Sequence, residues 1–417
     1  MLIILPLKST KKIDIETPLR LWTDSSHVEY TADDISSDLK RMNALRSDIS
    51  KCISSPTSHS YSCKNNALSD LIQYHACLME CLNHGFPGEA RDADVNGLLD
   101  AGLHFEWSSA FQAYDYDTDN HDVQLSPKSV CHLNYERVCV LWNIAALMTY
   151  QAASEQTWST KESRTNVIQL YQTAARILRY IQYIVKDLNI KEGEWTLDLS
   201  HDSLEMCQQI CLVQGQICAY IALKEKIHSQ APSSTFTLLS KIAAGVAMHA
   251  DLGLLASQSL SIKNTRGSVV LGGHLKLVSI LFQSRSEFLV AQVEKQSGKY
   301  GIEIARLERT VQMAKEGMEF LKSKTFVQAG KEGPSILGSL PSSIESLLSN
   351  AKSRLIHISE ENSRVYFEKV PDIAAMEKII PKDVMEYEMK DNSELPVELT
   401  PISLERPMFV FYNRSNT

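Results

Sequence analysis

Apolar residues recur at three- and four-residue steps along most of this chain, which is the period of a helix face and not of a strand. From Tyr30 the stripe runs through Ile35, Leu39, Met42 and Leu45, with Thr31 or Asp33 placed to cap it. A polar, Ser-rich loop at 54–65 precedes a helix over 66–84 that carries Leu68, Leu71, Ile72, His75, Leu78, Met79 and Leu82. Residues 1–9 read as a short strand ending in a turn at Ser9–Lys12, and 85–103 as loop. Phe105-Glu106-Trp107 is expected to open a short helix, ahead of an acidic loop at 114–122.

The pattern strengthens downstream. Residues 133–153 are apolar nearly all round, which predicts a buried central helix. A second stripe over 166–188 places Val167, Leu170, Tyr171, Ala174, Ile177, Leu178 and Ile181 on one face. Helices follow over 201–228 and 235–259, parted by Ala231-Pro232-Ser233-Ser234. A fifth runs over 268–296, and in a sixth Ile304, Leu307, Val311, Ala314, Met318 and Leu321 form a narrow seam against a neighbour. Beyond a Gly/Pro/Ser stretch at 330–343 a seventh spans 344–361, and 365–417 is extended and proline-punctuated. Long helices with short breaks predict hairpins stacked side by side, as in tetratricopeptide solenoids, though no strict 34-residue period is present.

Composition supports the helical reading. Only 17 Gly and 13 Pro in 417 residues is about 7%, against an ordinary ~12%, too few turn formers for a β-sandwich. With 42 Lys+Arg against 50 Asp+Glu, no global basic field exists for duplex nucleic acid. Between Glu377 and Glu398 seven acidic residues stand against three Lys, so half of the net −8 sits there and a local basic face for anionic lipid stays open. No membrane span or secretory signal is expected, since the opening apolar run is short and lacks a basic flank. Nine scattered Cys fit reduced thiols of a cytosolic protein.

Candidate chemistry is sparse. Cys77, Cys81 and His84, with His75 nearby, share a helix face, but one straight helix cannot wrap a tetrahedral zinc ion, so buried thiols are the simpler reading. Cys207, Cys211 and Cys218 invite the same idea and the same answer. Asp115, Asp117 and Asp119 start like a calcium loop, which then fails at Asn120, where Gly is needed, and at Ser126, where the bidentate Glu is needed. No phosphate-binding loop, nucleophile elbow, zincin motif or dinucleotide fingerprint occurs, so no catalytic residue, cofactor or metal is assigned. Gly272-Gly273-His274 reads as a local break or a close helix contact.

The run Asn134-Tyr135-Glu136-Arg137-Val138-Cys139-Val140-Leu141-Trp142-Asn143-Ile144-Ala145-Ala146-Leu147 resembles the hallmark of the ALIX-type BRO domain family. Four further stretches agree in order. They are Leu7-Lys8 with Pro18-Leu19, Leu212-Val213-Gln214-Gly215-Gln216, Glu303-Ile304-Ala305-Arg306-Leu307, and Glu361–Tyr366 with Val370-Pro371.

The resemblance covers about residues 1–395, leaving 396–417 as a short extended C-terminal tail. It implies a mostly α, elongated, banana-shaped, solenoid-like domain with a small antiparallel β-sheet. It also implies a non-enzymatic adaptor of the endosomal sorting and multivesicular body pathway, cytoplasmic and recruited peripherally to late endosomes. The partner it implies is the C-terminal amphipathic helix of an ESCRT-III subunit of the Snf-seven type, received in a concave hydrophobic groove. The family's two aliphatic anchors fall on Leu238 and Ile242, with Lys241 between them. A third, usually bulky, falls on Ala219 beside Tyr220, a departure that thins the patch. Leu238 and Ile242 are surface anchors on this reading and core residues on the plainer one.

A charged cluster of relatives reads Lys161-Glu162 and Thr165 here, a tyrosine phosphorylated in relatives falls on Tyr366, and the acidic loop takes the place of a long variable loop. The coiled arm and proline-rich tail of larger members are not expected, nor a C-terminal Cys for a lipid anchor. The alternative function is a membrane-associated scaffold that uses a basic convex face on anionic endosomal lipid without ESCRT-III binding.

Overall fold

Thr160 sets the start of one of the longest helices. Its hydroxyl accepts from the Ser163 N–H at 3.1 Å, so the helix begins at Lys161, five residues ahead of its apolar stripe. The computed structural model describes residues 3–25, 32–54, 61–83, 103–114, 126–154, 160–188, 193–227, 231–259, 262, 265–323 and 338–385. The domain boundary expected at 395, residues Asp115, Asp117 and Asp119 of the acidic loop, and His84 lie outside them.

The elements are α1 (Glu16–Ser25), α2 (Ala32–Ser54), α3 (Tyr61–Asn83), β1 (Phe105–Trp107), β2 (Lys128–Val130), α4 (Leu133–Ser154) and α5 (Lys161–Asp187). There follow α6 (His201–Lys224), α7 (Ser233–Ser257), α8 (Arg266–Gln296), α9 (Tyr300–Phe320) and α10 (Leu340–Glu361). The fold is mostly helical, with a single antiparallel two-stranded sheet among the described residues. The chain divides into two compact units. Of the described residues, one holds Ile3 and those within 152–175 and 205–385; the other holds those within 4–151 and 176–204.

In the first unit each helix pairs with the next along the chain, α7 on α8, α8 on α9 and α9 on α10, which is the stacked-hairpin arrangement that the periodicity predicts. Helix α8 runs unbroken through Gly272, where a Cβ would stand 2.5 Å from the Ser257 hydroxyl; the glycine allows two helices to touch. Helices α6 and α7 are long and apolar enough to cross a membrane, yet most of α6 is buried inside the protein, as befits a core helix.

In the second unit Phe105-Glu106-Trp107 corrects the helix expectation. It is strand β1, paired antiparallel with β2 through Phe105–Val130, Glu106–Ser129 and Trp107–Lys128. The two aromatic rings fall on one buried side and Glu106 on the other, a period of two within a run too short for periodicity to betray it. One 3₁₀ turn, Ala110–Tyr114, follows.

The opening residues do not form the expected strand either, apart from one bridge between Thr10 and Trp107. Side chains of α4 satisfy their backbone instead. Asn143 accepts from the Lys8 N–H at 2.8 Å and donates to the Lys8 carbonyl at 3.0 Å, and Thr149 accepts from the Leu5 N–H at 3.0 Å. Helix α1 falls where no apolar stripe announced one, and Asp14 caps it by accepting from the Glu16 N–H at 3.1 Å.

Candidate functional site

The residues that carry the family hallmark hold the second unit together. Glu136 is fully buried and accepts from Arg46 at 2.6 Å, from the Tyr74 hydroxyl at 3.1 Å and from the Trp107 indole at 2.5 Å. It thus ties α2, α3 and β1 to α4, and Arg46 reaches on to Thr10 at 2.6 Å. A second buried pair, Lys8 and Asp198 at 2.6 Å, is completed by the Thr196 hydroxyl and the Ala110 N–H. Buried charges are tolerated when each is paired and hydrogen-bonded, and here both are.

Arg137, the next hallmark residue, donates to the Tyr180 hydroxyl and to His75 Nε2, the latter at 3.3 Å. That bond occupies the lone pair a metal would need. Burial, followed by the Arg137 charge, pushes His75 down to about 3, so it stays neutral. Burial also pushes Cys77 up to about 12 and Cys81 well above its ordinary value, and Cys81 rests on the Met42 sulfur at 3.8 Å. Cys211 and Cys218 are raised by burial too. Protonated thiols of this kind are packing groups and poor ligands.

The expected partner face lies in the first unit. On α7 Leu238 is half-buried, Lys241 is exposed and Ile242 is buried, at 6% exposure. On α6 Ala219 is half-buried. Tyr220 is buried at 3% exposure, with its ring edge-on to Phe282 at 5.2 Å. Tyr220 lines a cavity with Phe236 and Leu239, which Leu238, Lys241 and Ile242 do not line. At the start of α5 the Thr165 hydroxyl turns back to the Lys161 carbonyl, and Arg164, not Lys161, makes the local ion pair, with Glu225 at 2.5 Å.

Sequence reasoning missed what lies beside Lys241 and Ile242. Residues 377–385 form an extended strap across α6 and α7. The Lys382 N–H donates to the Lys241 carbonyl at 2.8 Å. Gln216 donates to the carbonyls of Lys382 and Ile242 at 2.7 and 3.2 Å and accepts from the Val384 N–H at 3.0 Å. His249 meets Asp383 at 3.1 Å, and Arg306 donates to the Glu377 carbonyl at 2.6 Å while pairing with Glu287 at 2.7 Å. The motif Leu212–Gln216 contributes both the clamp, Gln216, and the seat for Met385, Gly215. No local pattern in the sequence marks this contact.

Tyr366 closes the helical part. It lies in a π-helical turn, Asn362–Tyr366, stacked on Tyr300 with ring centroids 3.7 Å apart. Phe367 then leaves with φ of 56°, and Asn362 bridges the Glu368 N–H and carbonyl, both at 2.9 Å.

Paired helices, a clamped strap and apolar faces, as the described residues show them, make up a module of stacked helices. A model of the family described as BRO1-like domain matches residues 2–408, and the chain belongs to that family. BRO1-like domains of this kind are non-catalytic scaffolds. Apoptosis-linked gene 2-interacting protein X 1 of Caenorhabditis elegans is 24% identical over 319 residues, 74% of this chain and 32% of the relative. Programmed cell death 6-interacting protein of Mus musculus is 24% identical over 75% of this chain and 33% of its own. The chain therefore spans about a third of the length of these relatives. Among solved structures, the ALIX BRO1 domain in complex with CHMP4C superposes with a TM-score of 0.69 at 20% identity, over 92% of this chain and 94% of that one. A Bro1 domain described for endosomal targeting gives 0.66 at 15% identity, over 93% and 92%.

Proposed function

We propose that this chain is a non-enzymatic adaptor of endosomal sorting, acting in the cytoplasm and at late endosomes. Its exposed α7 face takes the C-terminal amphipathic helix of an ESCRT-III subunit. The family match over residues 2–408 carries the reading, and a relative in that family is seen in complex with CHMP4C. Locally, Leu238 offers apolar surface one turn from Ile242, with the exposed ammonium of Lys241 between them. Helix-in-groove recognition uses such a pair of anchors four residues apart. Ala219 presents only a methyl group where a bulkier third anchor would sit, which makes Leu238 the dominant contact.

The test is a titration of the protein with a CHMP4C C-terminal peptide, wild type against Leu238→Asp, with thermal melting measured in parallel. Loss of at least tenfold in affinity with an unchanged melting temperature is the expected result. Absence of binding by the wild-type protein would remove the reading. Ile242→Asp, at a buried position, is expected to lower the melting temperature as well.

A further inference from the structure

Arg285 on α8 differs from the ion-paired arginines of the fold. Arg46, Arg164, Arg306 and Arg354 each meet a carboxylate. The Arg285 guanidinium instead lies against two aromatic faces, 4.8 Å from the Phe282 ring centre and 5.8 Å from that of Tyr220. It lines a cavity of about 440 Å³ between α6, α7, α8 and α10, within the range that holds small ligands. Lys224, at the end of α6, lines the same cavity. Burial lowers the pKa of both groups, and the Arg285 charge lowers that of Lys224 further. No Asp or Glu lines the space. Two cations, the half-buried Arg285 and Lys224 at the exposed rim, therefore flank this pocket without a counter-charge from the described residues that line it.

The rest of the lining sorts by chemistry. The first turns of α10 bring Ser343 and Ser346, and the floor is apolar, built from Phe236, Leu239, Phe288 and Leu347. A carboxylate would neutralise one of the two cations; a phosphomonoester, at close to −2, neutralises both and matches the fork of an arginine. We propose that this cavity binds a phosphorylated serine or threonine of a peptide, with Arg285 and Lys224 on the phosphate, the serine hydroxyls of α10 beside it, and the adjoining apolar residue on the floor. The floor decides for a peptide over a membrane lipid, because a bilayer keeps the acyl chains of a phosphorylated headgroup pointing away from the protein, and nothing would then cover Phe236 and Phe288.

The probe is a fluorescent nonapeptide with a central phosphoserine, a leucine on each side of it and no other charge, followed by anisotropy against the same peptide unphosphorylated. The phosphopeptide is expected to bind at least about tenfold more tightly. Arg285→Gln should abolish the difference, and Lys224→Gln, at an exposed rim position where folding is not at stake, should reduce it about threefold or more. Vesicles of phosphatidylcholine containing phosphatidylinositol 3-phosphate form the second arm and are expected to show no dependence on Lys224. Equal affinity for the two peptides overturns the proposal, as does phosphopeptide binding indifferent to both variants. Capture by vesicles that needs Lys224, without binding of the phosphopeptide, overturns it in favour of a lipid. Binding of CHMP4C by the α7 face is read separately and is untouched by any of these outcomes.

Discussion

Gln216 holds the main chain of Lys382 across 166 residues of sequence. Its amide nitrogen donates to the Lys382 carbonyl at 2.7 Å while its oxygen accepts from the Val384 N–H at 3.0 Å. One side chain so satisfies a donor and an acceptor of a segment with no sheet or helix of its own. Gln216→Ala leaves both backbone groups unpaired beside a buried face, at about 1–3 kcal/mol. The strap should loosen before the helices do. Hydrogen exchange at the Val384 N–H is expected to rise in the variant while α8 and α9 keep their protection; unchanged exchange there would mean the clamp is incidental.

Two glycines under the strap are expected to respond unequally to alanine. A Cβ on Gly245 would stand 2.4 Å from the Lys382 carbonyl oxygen and 3.1 Å from its carbon, so backbone must move. On Gly215 it would meet the end of the Met385 side chain, at 2.1 and 2.7 Å, which can swing aside. Gly245→Ala should therefore lower the melting temperature several degrees more than Gly215→Ala. A reversed order would show that Met385 is the fixed element.

Glu136 is the point at which the second unit is most vulnerable. Glu136→Gln keeps the shape but leaves Arg46 buried without its counter-charge, which costs about 3–5 kcal/mol. Removing the cation as well, as in Glu136→Gln with Arg46→Met, keeps an acceptor for the Tyr74 hydroxyl and the Trp107 indole and should be less damaging than the single change. Chemical denaturation of the three proteins checks the order.

How legible all this was in the sequence depended on the range of the interactions. Helices α4 to α10 were readable because each carries a long apolar pattern of its own, and a start such as that of α5 moved where the Thr160 cap extended the turn beyond the stripe, while Pro341 sits in the first turn of α10. Strand β1 was misread because three residues hold less than one helical period. The opening segment was misread because its backbone partners, Asn143 and Thr149, lie more than a hundred residues away. The hallmark around Glu136 was recognisable as a motif, but its role in tying three elements together emerges only in three dimensions. The strap and the Arg285 cavity left no local trace: each is assembled from residues whose separation in sequence exceeds any periodic window.

His75 supplies a pH dependence with a definite sign. Its folded-state value is held at about 3 by burial and by Arg137, whereas the unfolded chain titrates near the ordinary 6.5. Between those limits the unfolded state takes up a proton that the folded state refuses. Stability is thus fully retained above pH 6.5 and falls as the pH drops toward 3, by up to about 1.4 kcal/mol per pH unit from this one group. His75→Gln still offers an oxygen to the Arg137 guanidinium, and it has no proton to gain. Urea unfolding of both proteins at pH 7, 6 and 5 separates this contribution from that of the carboxylates, which are common to the two. Wild type is expected to lose about 2 kcal/mol more than His75→Gln between pH 7 and pH 5. Parallel curves would show that His75 takes up its proton in the folded protein, with Arg137 swinging away to release it.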